Sequence, residues 1–405
     1  MLLRSILSAM RRNKAGAILI ALQMALTQAV LCNALFVIYQ RVHNSNRPSG
    51  IDESNIFVVF NVWMGNPPDT KPLQLADLAT LRQLPGVVDA FATNSYPLRG
   101  AIWETNVRLV PEQTRGGAHA AVYFVDEHAQ NALGVRLTAG RWFYASEVID
   151  RNMIDRKPTP GAIIVTRPLA EKLFPERTAL GKTVYIEGAS QTIVGIIERM
   201  QAQVPSTGTA QGYIEDSVLR PGSLIARTSR YIVRTHPGKI DSVAVAAQGA
   251  LLTLNRARVI RYVRTFSEVR DLAYGDDRAF AFILASLCAI LVAVTAFGIV
   301  GLTSFWVTQR TRQIGLRRAL GATRRAILHH FQVENLVIAI PAAAVGVALA
   351  IALNLWMVSS FEMSRIPVLP VIAAAVLIPA LGQVAVLWPA LRASLIPPAL
   401  ATRVN

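Results

Sequence analysis

The chain has 405 residues, 52% of them hydrophobic, with a mean hydropathy of +0.37. That is too apolar for an ordinary soluble protein, and 16% charged residues are too many for a chain lying wholly within a bilayer. The net charge of +16 and the pI of about 10.6 would suit nucleic acid, but the basic excess is concentrated beside the apolar runs, which argues against nucleic acid as a partner and follows the positive-inside rule instead.

Residues 1–14 carry Arg4, Arg11, Arg12 and Lys14 and no acid, as a cytoplasmic N-terminal segment would. Residues 15–40 carry no charge. About 20 apolar residues cross a bilayer as a helix, so this run predicts a first transmembrane helix. It is too long for a cleaved signal peptide, and no small-residue cleavage site follows it. Residues 41–278 form a large water-facing segment with 28 Lys/Arg and 23 Asp/Glu. Segments of this size cross a membrane largely regardless of charge. Both cysteines, Cys32 and Cys288, lie in apolar runs, so this segment has no disulfide, and Cys and His show no metal-ligand spacing.

Within that segment, alternating β-branched residues predict strands over 55–60, 87–93, 106–110, 121–125, 162–165, 183–186, 191–197, 231–234 and 258–265. Helices are expected over 73–84 and 240–254, and from Arg167 with Pro168 in the first turn. Residues 201–223, rich in Gln, Ser, Thr, Gly and Pro, read as a loop. The outer pieces form two β-α-β halves, with the middle, about 118–225, inserted between them.

Residues 279–309 are again uncharged and exceed one bilayer thickness by roughly 10 residues, predicting a second span that either tilts or projects beyond the membrane as a stalk continuous with residues 265–278. Two further uncharged runs, 335–361 and 366–391, are separated only by Glu362, Met363, Ser364 and Arg365, a tight hairpin. They place the third helix at 329–361 and the fourth at 366–391. The tail, 392–405, carries Arg392 and Arg403 and no acid, and returns to the cytoplasm. The expected architecture is an α/β membrane protein with four transmembrane helices and a large α+β extracytoplasmic domain between helices 1 and 2. In the third helix Ala342, Gly346 and Ala350 repeat every four residues, a spacing that permits close helix–helix packing.

Between the second and third spans lies an elbow, 310–328, with six arginines and no acid. Gly315 and Gly321 mark two expected helix breaks around Leu316 and Leu320, which stack at i, i+4, and Thr323 is placed to cap the next helix. The arginines Arg312, Arg317, Arg318, Arg324 and Arg325 around these leucines either fix topology against anionic membrane lipid or surround an apolar anchor for a cytoplasmic protein, and the expected docking set runs from Arg310 through Arg312, Gln313, Ile314, Gly315, Leu316, Arg317, Leu320 and Gly321 to Arg324. Leu180-Gly181-Lys182-Thr183 resembles the end of a phosphate-binding loop, but Glu176 stands where that loop needs glycine. The acidic pairs Asp126-Glu127 and Asp276-Asp277 read as solvated charges rather than a catalytic pair.

The elbow resembles the signature loop of FtsX/MacB-type ABC-transporter permeases, R-T-R-E-I-G-I-R-K-A-L-G-A. Arg310, Thr311, Arg312, Ile314, Gly315, Arg317, Ala319, Leu320, Gly321 and Ala322 match it, whereas Gln313 stands in place of the usual Glu. The stretches GVRLTAGRWF (134–143), IIVTRPLAEKLFPERTALGKTVYIEG (163–188), QTIVGIIE (191–198) and IPPALATR (396–403) are similar to further stretches of the family. The resemblance implies an inner-membrane permease with cytoplasmic termini and no catalytic site or cofactor of its own, working as a dimer with a second copy or a paralogous permease. A separate cytoplasmic ABC ATPase dimer, carrying ATP and Mg, docks at the elbow and at the N-terminal segment. Its closure is passed through stalk helices to the periplasmic domain, driving efflux of a peptide, antibiotic or other hydrophobic compound. Lipoprotein release and activation or sensing of a periplasmic partner are the alternatives, and a membrane-fusion adaptor with an outer-membrane channel is a further expected partner.

Overall fold

The computed structural model describes residues 14–65, 69–112, 117–152, 159–203, 212–361 and 366–395. The N-terminal segment through residue 13, the expected hairpin at 362–365, the middle of the expected loop (204–211) and the tail from 396 lie outside them. The chain divides into a helical unit, residues 1–42 with 278–405, and a core domain, residues 43–277.

Helix α1 (Lys14–Ser45) is followed by the core domain's first sheet. Its strands are β1 (Ile56–Trp63), β2 (Val87–Thr93), β11 (Thr228–Thr235) and β12 (Arg258–Thr265), in the order β12-β1-β11-β2, every pairing antiparallel. Helix α2 (Lys71–Gln83) joins β1 to β2, and α5 (Ile240–Leu254) joins β11 to β12, so two β-α-β halves interleave as a split β-α-β sheet. β1 reads as a continuous apolar run because both its faces are covered. Phe57, Val59, Tyr231 and Val233 pack with Leu81 and Val243 of the two helices. On the other face Ile56, Val58, Phe91 and Ile232 join a core shared with Tyr123 and Leu219 of the second sheet.

The second sheet is built from β3 (Glu104–Arg108), β4 (Ala118–Val125), β7 (Gly161–Thr166), β8 (Thr183–Ile186), β9 (Ala189–Ile197) and β10 (Ser217–Ile225). The order β4-β3-β8-β9-β7-β10 closes on itself because β10 also pairs with β4, in parallel. A closed ring has no exposed edges. Strands β5 (Leu137–Gly140) and β6 (Ile149–Asn152) add to β9 and β10, and the short helices α3 (Ala129–Leu133) and α4 (Arg167–Leu173) complete the layer. Val107, Ala120, Val165, Ile186, Ile193 and Val218 share the ring's core.

Two expectations are corrected. The second sheet begins upstream of 118, at β3, and the expected loop over 201–223 contains the start of β10. Pro221 and Gly222 suggested a loop, yet Pro221 sits where β10 changes partner from β4 to β6. A residue at such a switch can lack an N–H at little cost.

The remaining helices are α6 (Phe266–Gln309), α7 (Thr311–Ala319), α8 (Arg324–Phe361) and α9 (Val368–Ser394). Among the described residues, α1, α6, α8 and α9 are the four helices long enough and apolar enough to cross a membrane. At 44 residues α6 is about 66 Å long, roughly twice the hydrocarbon thickness. Polar side chains fasten the bundle where lipid offers no partner. The Thr27 and Thr295 hydroxyls lie 2.8 Å apart, Asn33 donates to the Ala350 carbonyl at 3.3 Å, and the Asn354 carboxamide oxygen accepts the Ile366 N–H at 3.1 Å. Ala342 and Ala350 are buried, and between them a Cβ on Gly346 would lie 2.5 Å from the Gln28 Cβ and 2.8 Å from the Ala25 carbonyl oxygen. The small-residue stripe therefore faces α1 of the same chain.

Candidate functional site

The elbow is a short helix held between two caps. Arg310 is the single residue between α6 and α7: its N–H donates to the Trp306 and Val307 carbonyls, and its own carbonyl accepts the Ile314 N–H at 2.9 Å. The Thr311 hydroxyl donates to the Thr308 carbonyl at 2.9 Å, satisfying part of the α6 terminus. At the far end Gly321 adopts φ +96°, its N–H donates to the Arg318 carbonyl, and the Ala322 N–H reaches back to Arg317. This is a Schellman motif, which needs a left-handed residue and so favours glycine. Two residues on, the Thr323 hydroxyl accepts the Ala326 N–H at 3.2 Å and caps α8, as expected.

Gly315 is not a break. It lies inside α7 and is buried, as is Ile314, and Ile314 joins Trp306, Ile327 and Phe331 in the bundle's core. A glycine costs helix stability but lets α7 lie close to its support. Ile314 and Gly315, expected in the docking set, are therefore turned into the bundle rather than outward. The opposite face is open: Leu316 is 59% and Leu320 80% exposed, one turn apart, and Arg312, Gln313, Arg317 and Arg324 are exposed around them.

Arg310 is turned inward. Its Nη1 donates to both carboxylate oxygens of Glu334 on α8, at 2.9 and 3.0 Å, and the side chains are 17% and 3% exposed. Sequence reading placed Arg310 in the docking set and missed Glu334. The available signal was that Glu334 is the sole acidic residue between 279 and 361, and an ionisable residue inside a span is a functional candidate with a partner to be found.

Of the two acidic pairs expected to be solvated, Glu127 and Asp276 are exposed, whereas Asp126 and Asp277 are not. Asp126 is largely buried beside Arg82 and His128, and burial pushes its carboxyl up to about 6 despite the opposing pull of these two neighbours. Asp277 is buried as well. No group of three or more His, Cys, Asp and Glu placed to hold a metal occurs among the described residues.

The comparisons with known proteins fall on both units. Residues 29–257 match the model of the MacB-like periplasmic core domain, and residues 285–398 match that of the FtsX-like permease C-terminal region. The chain is similar to the macrolide export ATP-binding/permease protein MacB of Chromobacterium violaceum, 24% identical over 270 residues, which cover 64% of this chain and 39% of that protein. It is also similar to the uncharacterized ABC transporter permease YknZ of Bacillus subtilis, 22% identical over 67% of this chain and 64% of that one. The chain thus spans about two fifths of the length of that MacB protein and about two thirds of YknZ. Among solved structures, the YknZ extracellular domain aligns over 51% of this chain and 100% of its own at 15% identity and a TM-score of 0.31. The periplasmic region of MacB from Actinobacillus actinomycetemcomitans aligns over 55% and 94% at 14% and 0.35.

Proposed function

This chain belongs to the family of FtsX-like ABC-transporter permeases with a MacB-like periplasmic core domain, and we propose that it is a permease subunit driven by a cytoplasmic ATPase docked on α7. The observation that carries the proposal is the two-sidedness of that helix. Ile314 and Gly315 seat it against the bundle, while Leu316 and Leu320 present an apolar pair outward, ringed by Arg312, Arg317 and Arg324. An apolar anchor with a cationic rim fits a cleft with an apolar floor and acidic margins. Gln313, exposed on the same helix, offers that cleft an uncharged amide where the family's signature loop usually has Glu.

The ATPase carries ATP and Mg; its closing and opening move α7, and α6 passes the movement toward the core domain. The chain works with a second copy or a paralogous permease in the inner membrane. Both termini are cytoplasmic, in keeping with the arginines of residues 1–14 and of the elbow. The transported substance is a peptide, antibiotic or other hydrophobic compound moved outward, as the macrolide exporters among the relatives suggest.

The test is Leu316→Asp with Leu320→Asp. Removing two buried leucines from an interface costs about 3–6 kcal/mol, so the ATPase's Kd should weaken at least ~100-fold. Loss of co-purification and of ATPase stimulation is expected, with the variant still inserted in the membrane. Unchanged binding and stimulation would overturn the docking assignment. A reporter fused after Arg392 should read cytoplasmic; a periplasmic reading would remove one span.

A further inference from the structure

Glu334 is withdrawn from water on a helix whose other residues from 335 to 361 carry no charge. A carboxylate so placed is costly unless paired, and even a good buried pair stabilises no better than apolar side chains of the same volume. The pair therefore needs a reason other than stability. Its position supplies one. Arg310 is the residue whose φ and ψ set the angle between α6 and α7, since its N–H closes one helix and its carbonyl opens the other. The guanidinium of that same residue is pinned to α8 and lies over the Trp306 ring of α6, 6.0 Å from its centre. Three helices thus meet at one side chain, six residues before the first of the exposed leucines, Leu316.

We propose that Glu334 is the positioning residue of the elbow. By holding the Arg310 guanidinium it fixes the angle of α7, so that displacement of a docked ATPase moves α6 and α8 together. Glu334 itself touches no ATPase. The inference rests on the docking reading above, and the two make different demands: docking needs Leu316 and Leu320, whereas transmission needs Arg310–Glu334.

The experiment uses the full chain with the ABC ATPase that co-purifies with it, reconstituted in nanodiscs. Glu334→Gln keeps the side chain's size and removes its charge. Capture of the ATPase should persist while stimulation of ATP hydrolysis falls about fivefold or more, the lower end of usual coupling between sites. The exchanged pair, Arg310→Glu with Glu334→Arg, should restore stimulation. Nitroxides at Ala319→Cys on α7 and His329→Cys on α8, with Cys32 and Cys288 replaced by Ala, report the angle without any ATPase. One narrow distance distribution should broaden in Glu334→Gln and narrow again in the exchanged pair. Wild-type stimulation with an unchanged distribution in Glu334→Gln would overturn the proposal. If Glu334→Gln fails to accumulate, an exchanged pair that accumulates yet stays unstimulated would overturn it too. Failure of the wild-type chain to capture an ATPase removes the docking reading, and the distance measurement then decides the joint on its own.

Discussion

Asp77–Arg258 in the core domain and Arg310–Glu334 in the helical unit are both arginine–carboxylate pairs withdrawn from water, and they are held in different ways. The Asp77 Oδ2 accepts from Arg258 Nη1 at 2.7 Å and from the Tyr231 hydroxyl at 2.6 Å. Arg258 also donates through Nε to the Asn255 carbonyl at 2.8 Å and lies over the Trp63 ring at 4.2 Å. Five residues from α2, β1, β11, β12 and the turn before β12 are tied at one point, with the pair 1% and 0% exposed. Even so, burial holds the Asp77 carboxyl above the ordinary carboxylate value. Glu334, by contrast, takes its hydrogen bonds among the described residues from a single Arg310 nitrogen, at the residue between two helices. A knot of five residues cannot yield without unfolding its surroundings. A single contact at a helix junction can change while both helices persist.

Breaking the knot should have the largest effect. Arg258→Ala leaves Asp77 buried and unpaired, at about 3–5 kcal/mol. The core domain's melting transition should fall steeply or vanish, and an unchanged transition would show that the pair is not structural. Next comes Gly346→Val, which forces a side chain into the α1–α8 contact at about 1–3 kcal/mol. Its signature is earlier loss of helicity in detergent titration with the core domain's melting unchanged, so it separates the two units' stabilities. The smallest effect is at Asp126. Its carboxyl sits at about 6 in the folded chain against an ordinary 3.8, so the folded chain keeps a proton that the unfolded chain has released. This group's contribution to stability is therefore greatest below about pH 4, falls as the pH rises to about 6, and stays low above that. Asp126→Asn should remove that slope and raise core-domain stability at pH 7 by about 1 kcal/mol, less than the full shift because the attraction to Arg82 is lost as well. Melting curves of both proteins from pH 4 to 7 check it, and parallel curves would count against a raised carboxyl.

What could be read from the amino acids alone was local. The four spans follow from charge-free length, the β-α-β halves from alternation and turn residues, and the Gly321 and Thr323 caps from side chains acting within a few positions. What could not be read was set by distant partners. The ring closes through β4 and β10, some hundred residues apart, which recruits Pro221 and Gly222 into a strand. Gly315 looked like a break because its neighbours do not reveal that it faces the bundle. Arg310 looked like a docking residue because Glu334 lies 24 positions away on another helix.

The antiparallel pairing of β1 with β12 has a mechanical consequence. The chain enters the core domain just before β1 and leaves it just after β12, and Phe57 pairs with Thr265, so both attachments lie at the same end of one ladder. Tension between them would peel that ladder open one hydrogen bond at a time, the weakest way to load a β-pair. Arg270 stands in front of the first rung. It donates through Nε to Glu53 at 2.6 Å, and to the Ser45 and Arg47 carbonyls at 2.8 and 3.0 Å, bridging the segment that follows β12 to the one that precedes β1. A pull on the two strand ends would therefore meet a side-chain clasp before it met the sheet.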